Sequence, residues 1–78
     1  MNWIQLRLKL RKEFGNQFGF YNDKRGNGVR RVKIYGMDLN ELKRFILKQD
    51  SNLNVNDYNW KHYSGVYTMK CITIHFSE

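Results

Sequence analysis

Proline and alanine are absent from this chain, cysteine occurs once, and the longest uninterrupted apolar run is Phe45 to Leu47. The single cysteine, Cys71, excludes an internal disulfide framework and fits a reducing compartment. So short an apolar run can form neither a membrane span nor the core of a signal peptide. We therefore expect a soluble, cytoplasmic protein that has no membrane partner.

Acidic residues are also few. The chain carries 14 Lys and Arg against 7 Asp and Glu, a net charge of +7. Residues 1–48 hold twelve basic and four acidic side chains, whereas residues 49–78 hold two and three. This asymmetry favours attraction to a polyanion, nucleic acid before membrane, with ordinary solubilising charge as the alternative.

The length of 78 residues predicts a single domain, residues 1–78, near the lower size at which one core is sufficient. Twelve aromatic residues help such a core because each ring buries a large area. Nine Asn and eight Lys, without any Ala or Pro, reflect AT-rich codons. Together with the short length, this composition indicates a phage or mobile-element origin.

Residues 3–14 fit two periodicities. In a strand, four alternating apolar residues would share one face: Ile4, Leu6, Leu8 and Leu10. In a helix, the apolar stripe would be Trp3, Leu6, Leu10 and Phe14. The segment is rich in Leu, Arg and Lys and lacks Val and Thr, and Gly15 follows it as a helix stop. We therefore predict a helix.

Residues 18–36 predict a β-hairpin around a Gly-Asn-Gly turn. A three-residue loop, with Gly28 left-handed, pairs Phe20 with Ile34 and sets Tyr21 opposite Lys33. A two-residue loop would mix apolar and polar side chains on both faces. The predicted buried face holds Phe18, Phe20, Val32 and Ile34, and the other face holds Tyr21, Arg31, Lys33 and Tyr35.

A second helix is predicted from Asp38 to about Gln49. Asp38 is its N-cap with Glu41 three residues on, and Met37 can pack against Leu42 as a hydrophobic staple. The predicted buried stripe is Leu39, Leu42, Phe45 and Ile46.

A second hairpin is predicted around Ser64-Gly65, with its more regular strand at residues 66–76. The two-residue turn pairs Trp60 with Met69. Residues 50–57 are loop-like, although Leu53 and Val55 alternate as at the start of a strand. The apolar side chains change face between residues 55 and 58, which predicts a bulge near residues 57–59.

These elements give an αββ unit twice. We predict an α+β fold in which two helices cover one face of a four-stranded antiparallel sheet and the other face is open. The order is similar to that of LAGLIDADG homing-endonuclease halves and of type II KH domains. The acidic motif of the first family is missing, and SNLNVN stands where the second has its Gly-x-x-Gly loop. Neither similarity supplies a site.

Cations and aromatic rings alternate in the first hairpin, and this pattern predicts a nucleic-acid-binding site. Cations neutralise phosphates, and each ring stacks on an exposed base for roughly 1–3 kcal/mol. We expect these cations to contribute little to stability. The predicted site is Lys24, Arg25, Arg30, Arg31, Lys33, Tyr21 and Tyr35. The first hypothesis is therefore a small, non-enzymatic nucleic-acid-binding protein.

The second hairpin carries aromatic residues with almost no charge, which suits a protein partner at least as well. The predicted interface is Tyr58, Trp60, Tyr63 and Tyr67, with an ordinary core as the alternative. The second hypothesis is a phage-type effector that binds and blocks a host protein, such as a nucleic-acid enzyme or defence complex.

Signals for catalysis are weak. His62 and His75 have no Cys or second His at metal-ligand spacing. Cys71 has no paired His to activate it, so we expect an inert core thiol. The seven acidic residues are scattered, without a pair placed for acid–base work. We expect no enzymatic activity, no metal and no cofactor.

Overall fold

The computed structural model describes residues 1–24, 28–61 and 68–77, except for the side chains of Asp23 and Lys24. The elements follow in the order α1 (Trp3–Phe14), β1 (Phe18–Lys24), β2 (Val29–Gly36), α2 (Leu39–Gln49), β3 (Asn54–Lys61) and β4 (Thr68–Ser77). The strands form one antiparallel sheet in the order β1-β2-β4-β3. The predicted α+β fold, with its αββαββ order, is confirmed.

Helix α1 is closed at both ends by local chemistry. The Asn2 side chain accepts a hydrogen bond from the Gln5 backbone at 2.8 Å, and the Gln5 side chain accepts one from the Asn2 backbone at 3.0 Å. Gly15 ends the helix with a positive φ of 63°, a conformation that glycine adopts without strain. Leu6 and Leu10 are fully buried, so the helical stripe is confirmed.

Helix α2 begins as predicted, because Asp38 Oδ1 accepts a hydrogen bond from the Glu41 backbone at 3.0 Å. The predicted staple is wrong, since Met37 is fully exposed. A Cβ added at Gly36 would lie 2.9 Å from a methyl carbon of Leu42. The Leu42 side chain therefore packs against Gly36 rather than against Met37.

The first hairpin has the predicted register, with Phe20 opposite Ile34 and Tyr21 opposite Lys33. Gly28 is left-handed, with a φ of 72°. The rest of the predicted turn, residues 26 and 27, lies outside the described residues.

The second hairpin also has the predicted register, with Trp60 opposite Met69. Its strand β3 begins at Asn54, inside the segment 50–57 that was predicted to be loop-like. The pairing runs unbroken from Asn54 to Lys61, so the predicted bulge is wrong. Val55 packs with the helix-side core, whereas the Trp60 ring meets rings on the other side of the sheet. The apolar side chains of β3 change from one face to the other because both faces of the sheet are covered. The strand therefore needs no inserted residue. The predicted turn at Ser64-Gly65 lies outside the described residues.

The core lies between the helices and the central strands β2 and β4. Its buried members are Leu6, Leu10, Val32, Ile34, Leu42, Ile46, Ile72, Ile74 and Phe76. Phe14 of α1 meets Phe45 of α2 edge-on, with ring centroids 5.3 Å apart, and so joins the two helices. In the described part of the chain, no helix has the length and apolar character to cross a membrane.

Leu10→Ala and Leu8→Ala form a matched test of this fold. Leu10 is fully buried and Leu8 is 64% exposed, so we expect Leu10→Ala to lower the free energy of unfolding by about 2–5 kcal/mol. Leu8→Ala should change it by less than about 0.5 kcal/mol. Urea unfolding measures both. Similar losses for the two variants would support the strand periodicity, which places both residues on one face.

Candidate nucleic-acid interface

The central strands are buried on both faces of the sheet. Val32, Lys33 and Ile34 are consecutive and all buried, as are the four residues 71–74 of β4. Because neighbouring residues of a strand point to opposite faces, both faces must be covered. The helices cover one face. The other face was predicted to be open, and this prediction is wrong at its centre.

Aromatic side chains from the two edge strands meet over that centre. The ring centroids of Tyr21, on β1, and Trp60, on β3, lie 4.9 Å apart, and Tyr35 lies 6.4 Å from Trp60. The two edge strands are separated by three strand spacings of about 4.8 Å each. The rings therefore lean inward across the central strands.

Two cations lie among these rings. The ammonium nitrogen of Lys33 is 4.7 Å from the ring centroid of Trp60 and 5.6 Å from that of Tyr58. The guanidinium carbon of Arg31 is 5.7 Å from the Tyr58 centroid. Such contacts contribute about 0.5–2 kcal/mol each and offset part of the cost of removing a cation from water. We call this surface the ring face and define it as Tyr21, Arg31, Lys33, Tyr35, Tyr58 and Trp60.

Gly19 makes room for one ring of this surface. It lies opposite Tyr35, and a Cβ added to it would come within 1.9 Å of the Tyr35 ring. The ring therefore lies directly against the Gly19 backbone, an approach that only glycine permits. Gly19 was not among the predicted site residues, although the predicted register sets this glycine opposite an aromatic residue, which was a usable signal.

Arg30 does not belong to the ring face. It lies on the helix side of β2, where its Nη1 donates a hydrogen bond to Asn22 Oδ1 at 2.8 Å and its guanidinium stacks over Trp3 at 4.8 Å. Arg30 thus connects the first hairpin to α1 and lies on the opposite face from Arg31 and Lys33, with which it was grouped. Lys24 lies opposite Arg30 in the backbone register at the end of β1. The Lys24 side chain and Arg25 lie outside the described residues.

The two surfaces predicted from sequence form one surface. Tyr58 and Trp60, assigned to a protein interface, contact the cations and rings that were assigned to nucleic acid. The other predicted members of the interface, Tyr63 and Tyr67, lie outside the described residues.

The remaining polar groups near the sheet are dispersed among the described residues. Asp57 lies on the helix side and pairs with Lys43 at 2.6 Å. His75 is exposed and lies opposite Arg31 in the sheet, and His62 lies outside the described residues. No three His, Cys, Asp or Glu side chains of the described part come together as metal ligands.

A groove of about 570 Å³ lies at one end of the ring face. It lies where Gly19 and Gly36 carry no side chain, and its apolar wall includes Tyr35, Met37 and Met69. Its volume falls in the range of pockets that hold a small ligand or an anchoring side chain.

Cys71 is buried on the ring-face side of the sheet, with 1% of its surface exposed. Burial raises the pKa of its thiol above the ordinary value of 9.0, and the charges of Lys33 and Arg31 oppose that rise less strongly. The sulfur is therefore a neutral thiol at neutral pH, which fits the predicted inert role.

No family model, curated protein or solved structure matches the chain.

We expect Cys71 to react with iodoacetamide far more slowly in the folded chain than in the urea-unfolded chain. The thiolate is the nucleophile, so a raised pKa lowers its fraction at neutral pH, and burial blocks access. The rate should rise with pH through the raised pKa. Alkylation rates measured from pH 7 to above pH 9 test this, and equal rates for folded and unfolded chains would contradict it.

Gly19→Ala should lower stability by about 1–3 kcal/mol, because its new methyl group displaces the Tyr35 ring. In a Tyr35→Ala background the same change should have little effect or be stabilising, since glycine inside a strand is itself unfavourable. A double-mutant cycle from urea unfolding measures this coupling. Additive effects would show that the ring does not lie over Gly19.

Proposed function

We propose that this chain is a small, non-enzymatic nucleic-acid-binding protein that binds through the ring face. The observation that carries the proposal is the position of the Arg31 and Lys33 cations among four aromatic rings on a sheet face without helices. Cations neutralise phosphates and rings stack on bases, so this surface offers both interactions at once. The composition supports an origin in a phage or mobile element.

Charge alone does not select this face. The helices also expose basic side chains, among them Arg44 and Lys48 on α2. These helix cations would add long-range attraction to a polyanion. Among the described exposed rings, Tyr21 and Tyr58 lie on the ring face, which therefore combines charge with stacking surface.

The groove at the end of the ring face favours a second candidate function, the binding of a host protein. Met37 is fully exposed beside it, and the Tyr35 ring and Met69 form an apolar wall. An aromatic side chain from a partner could anchor there, as hot-spot residues do. The basic ring face would then steer the partner's approach.

A pair of double variants with the same change of charge tests the main proposal. We expect Arg31→Gln/Lys33→Met to weaken nucleic-acid binding and to reduce the slope of log K against log salt by about 1.4–1.8, for two lost phosphate contacts. The control, Arg44→Gln/Lys48→Met on α2, should change the slope much less. Salt-titrated fluorescence anisotropy with short labelled DNA and RNA measures both.

Methionine keeps the unbranched stem of Lys33 and removes its charge, so the fold should survive this substitution. Circular dichroism must confirm that both double variants are folded. Negligible wild-type affinity for DNA and RNA at low salt would refute the proposed function. In that case the groove becomes the surface to test, with Met37→Ser as the first variant.

A further inference from the structure

We propose that the ligand of the ring face is single-stranded, with a phosphate between Arg31 and Lys33 and bases stacked on Tyr21 and Tyr58. This inference rests on the proposed function and specifies its substrate class.

The accessibility of the rings favours a single strand. Tyr21 is 54% exposed and Tyr58 is 38% exposed, whereas Tyr35 and Trp60 are half-buried. Trp60 meets the Tyr21 ring at 71°, so it supports that ring from one side. In a duplex the faces of the bases are stacked on one another, and only base edges and phosphates reach the surface. A ring that lies over a sheet can stack only on a base whose face is not already covered by a neighbouring base.

The two cations and the two exposed rings lie on the same face of the sheet. Arg31 and Lys33 are two residues apart on the same face of β2, so their Cα atoms are roughly 7 Å apart. Both charged groups extend toward the Tyr58 ring, on β3. Tyr21 lies on the opposite edge, directly across from Lys33. Because the Tyr21 ring leans inward to Trp60, a single strand along this face would meet both exposed rings and both cations.

Two donors on one phosphate make a strong, charge-assisted contact. Arg31 and Lys33 reach the same ring from neighbouring positions of one face, at 5.7 Å and 5.6 Å from the Tyr58 centroid. Their contacts with Tyr58 also link phosphate binding to the orientation of a stacking ring. Phosphate and base recognition would then depend on each other at this position.

A cleft beside α1 is the competing position for a polyanion. It is lined by Arg7 and Arg11 and by the edges of Phe18 and Phe20. Both Phe rings pack against the core, so this cleft offers charge without an exposed stacking ring. It would contact phosphates of single strands and duplexes alike.

The test uses a Trp3→Phe background, which leaves Trp60 as the sole tryptophan of the full chain. The probes are oligothymidylate and a mixed duplex, both about 12 nucleotides long, within the site sizes of small single-strand binders. At equal salt we expect the single strand to bind at least about tenfold more tightly and to quench Trp60 emission.

Ring substitutions then locate the strand. Tyr21→Leu and Tyr58→Leu keep apolar bulk but remove the flat ring, so each should weaken single-strand binding by roughly five- to 150-fold. Duplex binding should hardly change. Leu8→Ala, an exposed apolar change on α1, is the control and should alter neither affinity.

Each of the remaining outcomes overturns either the single-strand inference or the proposed function. Equal affinity for single strand and duplex, lowered equally by Arg31→Gln/Lys33→Met, would overturn the single-strand inference and leave the proposed function intact. Single-strand binding that is lost in Arg7→Gln/Arg11→Gln but kept in both tyrosine variants would place the strand on α1 and overturn the inference. An absence of binding to either probe at low salt would refute the proposed function itself.

Discussion

Burial of the central strands on both sides is the constraint on which the rest of this structure depends. The helices supply enough apolar surface for one side, through residues such as Leu6 and Ile46. The chain has no third helix among the described residues to cover the other side. The edge strands supply that cover themselves by leaning aromatic side chains inward, which buries Lys33 and Thr73 at the centre.

Lys33 is a buried cation within this second cover, with 9% of its surface exposed. Removing an ammonium group from water costs several kcal/mol, and cation–π contacts return only part of that cost. An apolar side chain of similar length would be easier to bury at the same place. A cation at this place therefore stabilises the isolated fold less than an apolar side chain would.

Local chemistry made much of the fold predictable from sequence. Helix α2 followed from Asp38 and Glu41, and the register of the first hairpin followed from the need to keep Phe20 and Ile34 on one buried face. The predicted bulge failed because the second hairpin was interpreted with only one covered face. Strand order is a property of tertiary pairing, so local patterns did not reveal that β2 and β4 lie side by side.

The candidate site was predicted less well than the fold, because its contacts also depend on tertiary pairing. Alternation along β2 correctly separated Lys33 from the core side chains on its own strand. It also placed Arg30 on the other face, but charge composition grouped the two together. The contact between Tyr21 and Trp60 joins residues 39 positions apart and depends on both hairpins being in place. No local pattern in the sequence encodes such a contact.

The strand order also explains how an uneven sequence forms one coherent surface. The first hairpin provides Arg31 and Lys33, and the second provides Tyr58 and Trp60 and carries almost no net charge. Because β2 pairs with β4, cations from one half of the chain lie on rings from the other half. The first hairpin has cations and rings but lacks Tyr58 and Trp60, so the complete ring face exists only in the folded domain. Loss of Trp60 therefore affects the site of both candidate functions, and variants that keep its ring but change Lys33 or the groove are the ones that can separate them.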